Sequence, residues 1–340
     1  EGGEAATKAG TKYIIYSLSG AGAILAAMVI TYNLTGTLEF GDTAILANVA
    51  PGPGLGWLLA LFVAGFGVKA AIMPLHGWLP SAMAAPTPIS ALLHAVAVVN
   101  AGVFGILRVV YSIFGHTLMS KISFGGYLPY VAAFTIILGC IMALKQDVLK
   151  KRLAYSTVSQ LSYILLGAFT LHPLGLIGAM WHMLSHSLLK ITLFFSAGII
   201  AKTTGKVDIS AFPGVGKRLP WTLAAFTAAS LGMMGMLPLN AFWSKYYMMQ
   251  GSVATGNWPL ALVLVASGIL NAFYFVPIVI TAFKAGPAQG SNVDGTGLAG
   301  RPAQGMGGKS RVRTWTAMMV APTMVLTLAS LVLGVLPGLG

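Results

Sequence analysis

The sequence predicts an all-α fold, a polytopic bundle of transmembrane helices, and three observations carry that expectation. Hydrophobic residues fill 56% of the 340 positions and charged residues only 8%, where a soluble domain carries about 25% charged residues. Apolar runs long enough to cross a bilayer recur from one end of the chain to the other. Lys and Arg collect between those runs, so the net charge of +13 reads as loop charge of a membrane protein and not as a nucleic-acid surface.

Taken in order, the chain opens with polar EGGEAATKAGTK, which reads as a loop leading into a span and not as a cleavable signal peptide. Nine spans follow, at roughly 13–33, 55–75, 88–114, 127–145, 150–170, 174–200, 219–249, 259–283 and 315–338. Basic residues mark the N-terminal segment (Lys8, Lys12) and three later connections. These hold Lys145, Lys150, Lys151 and Arg152, then Lys202, Lys206, Lys217 and Arg218, then Lys284, Arg301, Lys309, Arg311 and Arg313. The connections between them are poor in Lys and Arg or carry Glu39 and Asp42, apart from a weak exception at Lys121. The positive-inside rule therefore places the N-terminus inside and the C-terminus outside. The Gly-rich, basic stretch 284–313 reads as a flexible loop before a C-terminal transmembrane helix at 314–340.

Two spans are interrupted. The second runs GFGVKAAIMPLHGWLP and then AAPTPIS, with Pro74, Pro80, Pro86 and Pro88. The seventh runs GMMGMLPLNAFWSK, with Pro238 preceded by glycines. MPLHGWLP and LPLNAFWSK look like two versions of one element: Pro-Leu, a polar residue, then an aromatic. Paired breaks of this kind are the mark of internal repeats that build a site at mid-membrane depth. Unpaired backbone in lipid is tolerated only against protein or water. Proline kinks kept for packing are the plainer alternative.

All seven carboxylates fall in loops or at span ends, but several bases do not: Lys69, Lys190, Lys245, His94, His182 and His186. A charge at the bilayer centre costs roughly 2.5–3.5 kcal/mol even on the gentler scale. Snorkelling is the main objection for Lys245, whereas Lys69 and Lys190 read as too deep for it. In WHMLSHSLLK, His182, His186 and Lys190 recur at i, i+4 and i+8 on one helix face, spanning about 12 Å. Histidine titrates near neutral pH and burial disfavours the charged form of an amine, so such a stripe can form a ladder of exchangeable protons. A zinc pair on HxxxH lacks the glutamate after the first histidine and an evident third ligand. A haem would draw its two axial histidines from opposite helices. Interhelical hydrogen bonding and a proton or cation path both stay open. His94 and Asn100 lie on the apolar helix after the first break, and His76 lies in the break itself as a gate or a solvated loop residue. No nucleophile elbow, phosphate loop or dinucleotide fingerprint occurs, and Cys140, the single cysteine, excludes an intrachain disulfide or iron–sulfur site.

VKAAIMPLHGWLPSAMAAPTPISALLHA, KRLAYSTVSQLSYILLGAF, HMLSHSLLKITLFFSAG and LPLNAFWSK resemble, in this order, the proton-translocating antiporter-like subunits of respiratory complex I, Mrp-type cation/proton antiporters and membrane-bound hydrogenases. The resemblance spans about residues 10–283, so that 1–283 is expected to be the ion-translocation domain. It implies two inverted five-helix repeats, each with one broken helix, around a hydrated axis of lysines and histidines. By motif, Lys69 matches the lysine of the first broken helix and His94 a histidine of the helix that follows. Lys190 matches the central lysine, with His182 and His186 its neighbours, and Lys245 matches the terminal base of the second broken helix. Some members carry a lysine where Asn100 stands. The family's N-terminal helices, one bearing a glutamate that pairs with the lysine matched by Lys69, have no counterpart here, so a longer chain or a separate chain is expected to supply them.

The reading that follows is an integral membrane subunit, in a prokaryotic cytoplasmic membrane, that moves protons, with exchange for Na⁺ left open. The expected partners are other membrane subunits of one complex, including antiporter-like paralogues and a redox arm, and the expected order of transfer is Lys69, His94, His182/His186, Lys190, Lys245. Pro74 and Pro238, with His76 and Asn100, are gate or accessory positions. No cofactor, metal, nucleic acid or catalytic site of its own is expected. The rival is a structural membrane subunit with a degenerate channel that anchors a redox complex.

Overall fold

A computed structural model of the chain describes residues 3–284 and 308–335, with side chains in the last helix described from 319 onward. The elements run α1 (Glu4–Thr35), α2 (Pro53–Ala70), α3 (Trp78–Ser81), α4 (Thr87–Ala95), α5 (Val98–Arg108), α6 (Gly115–Met119) and α7 (Ser123–Leu144). There follow α8 (Leu149–Phe169), α9 (Pro173–Thr204), α10 (Val215–Arg218), α11 (Pro220–Met234), α12 (Ala241–Ala254), α13 (Trp258–Phe283) and α14 (Gly308–Val335). The described residues contain no β-strand, only an isolated bridge between Val148 and Asp208. By length and composition, six helical runs among them can cross a membrane: 6–35, 53–84, 87–119, 123–144, 173–204 and 258–283.

The opening segment is helix from Glu4, not a loop. Alanine and lysine are strong helix formers, and Glu4 and Lys8 form an i,i+4 ion pair at 2.6 Å. The expected loop at 284–313 lies outside the described residues over 285–307, and α14 starts at Gly308, several residues before the expected span. The described carboxylates Glu4, Glu39, Asp42, Asp147 and Asp208 sit at a helix start or in connections.

α8 is absent from the six membrane-length runs because it is rich in Ser, Thr, Gln and Tyr, yet every residue from Ser156 to Thr170 is buried. It packs against α5, α7, α9 and α12, so protein and not lipid surrounds its polar side chains. A polar helix survives in a membrane in this way, its buried hydroxyls finding partners inside the bundle.

Three helices are interrupted. α2 stops at Ala70, with Ala71 at φ 55°, and short turns carry the chain past Pro74 to Ala84. The seventh expected span divides at Gly235 (φ 89°) and Pro238 into α11 and α12 and runs on to Ala254. The third break has no proline or glycine to announce it: α4 ends at Ala95 and α5 begins at Val98. There the Asn100 side-chain amide donates to the Ala95 carbonyl at 2.8 Å, taking the acceptor that the continuing helix would use. α5 then runs into a π-helical segment, Val109–Phe114, whose Ser112 and Ile113 carbonyls accept from the Ile45 and Leu46 amides at 3.0 and 2.8 Å.

The connections gather at two opposite ends of the bundle. At one end Lys12 reaches Ser81 (3.5 Å), Lys150 donates to the Ala85 carbonyl (3.2 Å), Asp147 holds Ser210 (2.6 Å), and the Gly214 amide meets the Lys284 carbonyl (3.0 Å). The other end carries the 36–52 loop with Glu39 and Asp42, the turn at Gly115, and Asn257, which bonds the Tyr130 hydroxyl at 3.3 Å. The charge asymmetry along the sequence is thus a polarity of the molecule.

Candidate functional site

Lys190, on α9, is fully buried. Its ammonium donates to Ser156 Oγ at 2.7 Å and to the Leu153 carbonyl at 3.1 Å, both on α8. The Tyr274 hydroxyl of α13 lies 3.0 Å from the same Ser156 Oγ and 2.6 Å from Asn271 Oδ1. Asn271 Nδ2 donates to the Met233 carbonyl at 3.2 Å, and Lys245 Nζ donates to that carbonyl at 2.7 Å. A continuous series of polar contacts therefore joins Lys190 to Lys245 through Ser156, Tyr274, Asn271 and the last turn of α11.

Two matched stripes build this series. Ser156, Gln160 and Tyr163 stand at i, i+4 and i+7 on α8, and Ser267, Asn271 and Tyr274 take the same spacing on α13. The helices run antiparallel, so the serine of each stripe meets the tyrosine of the other: Ser156 with Tyr274, and Ser267 with Tyr163. From α7, Cys140 Sγ adds contacts to Ser159 Oγ at 3.2 Å and Asn271 Oδ1 at 3.5 Å. Sequence reasoning misses Ser156, Gln160, Tyr163, Ser267, Asn271 and Tyr274, although both stripes are visible in their spans once polar residues are sought at helical spacing.

The histidines do not form one ladder of direct contacts. His182 is held at both ring nitrogens, Nδ1 by Ser244 Oγ at 2.7 Å and Nε2 by Gln160 Oε1 at 2.9 Å. Its ring lies 5.4 Å from that of Tyr163, and the Lys245 ammonium sits 4.8 Å from the Tyr163 ring centre, so His182 belongs with the Lys245 side. His186, one turn on, is fully buried and neither ring nitrogen has a hydrogen-bond partner in the protein. It lies within electrostatic reach of Lys190, His182 and His94. His94 is also fully buried and unpartnered at both nitrogens, with its ring 4.9 Å from that of Phe194. Equal spacing on α9 thus places its three bases against different neighbours: α8 and α12 for His182, α8 for Lys190, and the side shared with α4 for His186.

Lys69 sits in the last turn of α2 and is only partly buried, its ammonium 5.7 Å from the centre of the Tyr13 ring on α1. The helix stops one residue later, so the ammonium stands beside the first break. Lys245 is likewise part-buried, one turn into α12 after the second break. Asn100 forms no hydrogen bond with His94; its amide bridges the Ala95 carbonyl and Ser187 Oγ, each at 2.8 Å, tying the third break to α9. His76 occupies the turn after Pro74, its ring 6.1 Å from that of Tyr155. Pro238 lies in the second break, where the next residues are clamped by α14: Ser330 Oγ meets Asn240 Oδ1 at 2.7 Å and Trp243 Nε1 donates to the Gly334 carbonyl at 2.7 Å. Among the described residues no three His, Cys, Asp or Glu side chains cluster as metal ligands.

The family described as NADH:quinone oxidoreductase/Mrp antiporter, transmembrane, matches residues 2–270. The N subunit of NADH-quinone oxidoreductase from Desulforudis audaxviator is 35% identical over 98% of this chain and 65% of its own length. Hydrogenase-4 component B of Escherichia coli is 34% identical over 82% of this chain and 44% of its own. A Na⁺/H⁺ antiporter subunit from Alkalihalophilus pseudofirmus is 27% identical over 80% of this chain and 55% of its own. The chain therefore spans less than two thirds of these relatives. Among solved structures, the Mrp complex of Dietzia sp. aligns with a TM-score of 0.84 at 22% identity, over 99% of this chain and 66% of the matched one. An archaeal membrane-bound sulfane sulfur reductase aligns with a TM-score of 0.78 at 27% identity, over 99% and 64%. With its membrane-length helices and its buried Lys190, His94, His182 and His186, the chain is an integral membrane protein of the NADH:quinone oxidoreductase/Mrp antiporter transmembrane family.

Proposed function

We propose that this chain moves protons across the membrane as one subunit of a larger complex, along a path of bases running from Lys69 through His94 and His186 to Lys190, and from Lys190 to Lys245. The observation that carries the reading is Lys190: an amine with no exposure, held by Ser156 and a backbone carbonyl and joined by further polar groups to a second amine. No carboxylate neutralises it among the described residues, so its charge state is free to change with its surroundings. Buried imidazoles are ordinarily hydrogen-bonded, by water where protein offers nothing, so His94 and His186 are suited to a water-linked segment between the half-buried Lys69 and Lys190.

Relatives named as NADH-quinone oxidoreductase, hydrogenase and Na⁺/H⁺ antiporter subunits support a role within a complex whose other membrane subunits, antiporter-like paralogues among them, surround this chain. In an oxidoreductase of that kind a redox arm would supply the energy; in an antiporter, Na⁺ would be the exchanged ion. The end carrying Lys12, Lys150 and Arg152 faces the cytoplasm in this reading, with the N-terminus inside a prokaryotic cytoplasmic membrane. The breaks at Pro74 and Pro238 are taken as corresponding points of two inverted repeats. A carboxylate paired with Lys69 would come from outside the present chain.

A structural role with a degenerate channel is the second reading, favoured by Asn100, which is spent on the Ala95 carbonyl and Ser187 where a base would serve a path. Proton uptake by vesicles containing the assembled complex separates the two. Lys190→Ala is expected to abolish uptake without loss of assembly, and normal uptake by that variant would refute the proton-path reading.

A further inference from the structure

We propose that the Tyr274 hydroxyl is a proton-carrying group of the path between Lys190 and Lys245, with Asn271 the residue that positions it. The inference rests on the proton-translocation reading above and adds residues that reading does not require.

Four observations carry it. The Tyr274 hydroxyl touches the one side-chain oxygen that receives the Lys190 ammonium, Ser156 Oγ. It is fully buried, so its partners must come from the protein or from trapped water, and Asn271 Oδ1 fixes its far side at 2.6 Å. Asn271 in turn shares the Met233 carbonyl with Lys245, which brings the far end of the series within one bridging group of the second amine. The ring of Tyr274 also lies 4.6 Å from that of its neighbour Phe275, centroid to centroid. On the other branch, His182 is already saturated by Ser244 and Gln160.

The transfer balances as follows. Protonated Lys190 passes one proton to Ser156 Oγ while the Ser156 hydroxyl proton moves to Tyr274 Oη. The phenolic proton leaves for a water at Asn271, and that water gives a proton to neutral Lys245 Nζ. Lys190 ends neutral and Lys245 protonated, with Ser156, Tyr274 and the water restored. An amide does not carry a proton under these conditions, so Asn271 orients the hydroxyl and the water and is bypassed by the proton.

The test uses the assembled complex in vesicles and compares Lys190→Ala, Tyr274→Phe, Ser156→Ala and the Ser156→Ala/Tyr274→Phe double variant, with replacement of Tyr274 by difluorotyrosine as a variant that keeps ring and hydroxyl. Tyr274→Phe is expected to slow proton uptake about tenfold or more with assembly intact. The double variant should be no slower than the slower single one, because the two groups act in series. Difluorotyrosine, a more acidic phenol, should move the pH profile of uptake to lower pH, which a packing role would not do. Loss of uptake in Lys190→Ala with wild-type uptake and pH profile in both Tyr274 variants would overturn this inference alone. Normal uptake in Lys190→Ala would overturn the function on which it rests.

Discussion

The Lys245 ammonium and the Asn271 amide donate to the same acceptor, the Met233 carbonyl, at 2.7 and 3.2 Å. That carbonyl is free because α11 stops at Met234, and the last carbonyls of a helix have no partner within it. They also form the negative end of the helix dipole, a favourable place for an ammonium. The first break repeats the logic: α2 stops at Ala70, Lys69 stands in its last turn, and the Val68 carbonyl accepts from both the Ala71 backbone N–H and the Trp78 indole, at 3.2 and 2.7 Å. Breaking a helix inside a bundle thus creates acceptors, and each of these breaks spends them on holding groups beside a lysine.

Asn271→Leu keeps roughly the same volume and removes the Asn271 contacts to the Met233 carbonyl, the Tyr274 hydroxyl and Cys140 Sγ. Tyr274 loses the acceptor at 2.6 Å and the Met233 carbonyl keeps only Lys245. Leaving a buried partner unsatisfied costs about 1–3 kcal/mol, so thermal unfolding in detergent should shift downward by several degrees. An unchanged melting temperature would show that the contacts contribute nothing to stability.

The two histidines of the α9 stripe should respond oppositely to replacement by phenylalanine. His182→Phe strips Ser244 and Gln160 of a buried partner and is expected to destabilise by about 1–3 kcal/mol. His186→Phe strands no protein group, because neither nitrogen of His186 has one, and should leave stability nearly unchanged while slowing proton uptake. Paired melting and uptake measurements check both, and equal destabilisation by the two variants would contradict the asymmetry.

Lys69 should be sensitive to a residue with no side chain to offer. A Cβ on Gly102 of α5 would stand 2.5 Å from both Lys69 Cβ and the Ala70 amide nitrogen. Gly102→Val therefore has to push the end of α2 away, moving the lysine and its contact with Tyr13, and is expected to slow uptake several-fold. Gly22→Val, on α1 with nothing within reach of the new Cβ, is the matched control and should behave as wild type.

The helical class, the lysines and histidines and two of the three breaks were legible in the sequence because each leaves a local mark: an apolar run, a base inside it, a proline after glycines. The third break left none, since what interrupts the helix at Ala95 is the side chain of Asn100 and not a residue at the break itself. The i, i+4, i+8 spacing orders His182, His186 and Lys190 along one helix, but their partners depend on which neighbour crosses at each turn, a tertiary fact. Ser156 and Tyr274 were hidden for a related reason: serine and tyrosine are ordinary in membrane helices, and only the antiparallel register of α8 and α13 gives the pair a meaning.

The last prediction concerns α14, which reaches the second break after a long excursion in sequence. Ser330 Oγ meets Asn240 Oδ1 at 2.7 Å, the Asn240 backbone N–H donates to the Ser330 carbonyl at 3.3 Å, and Trp243 reaches the Gly334 carbonyl at 2.7 Å. Such backbone contact requires a residue without a side chain: a Cβ on Gly334 would overlap the Pro238 carbonyl oxygen and stand 2.7 Å from the Leu239 carbonyl carbon. Gly334→Val must lift the end of α14 from the break and free the Trp243 indole. The cost expected is about 1–3 kcal/mol of overpacking, with a changed Trp243 fluorescence as the local sign. Because Lys245 lies two residues beyond Trp243, loosening this clamp should also alter uptake by more than the loss of stability alone explains. A Gly334→Val variant with wild-type fluorescence, melting and uptake would show that the break is held without α14.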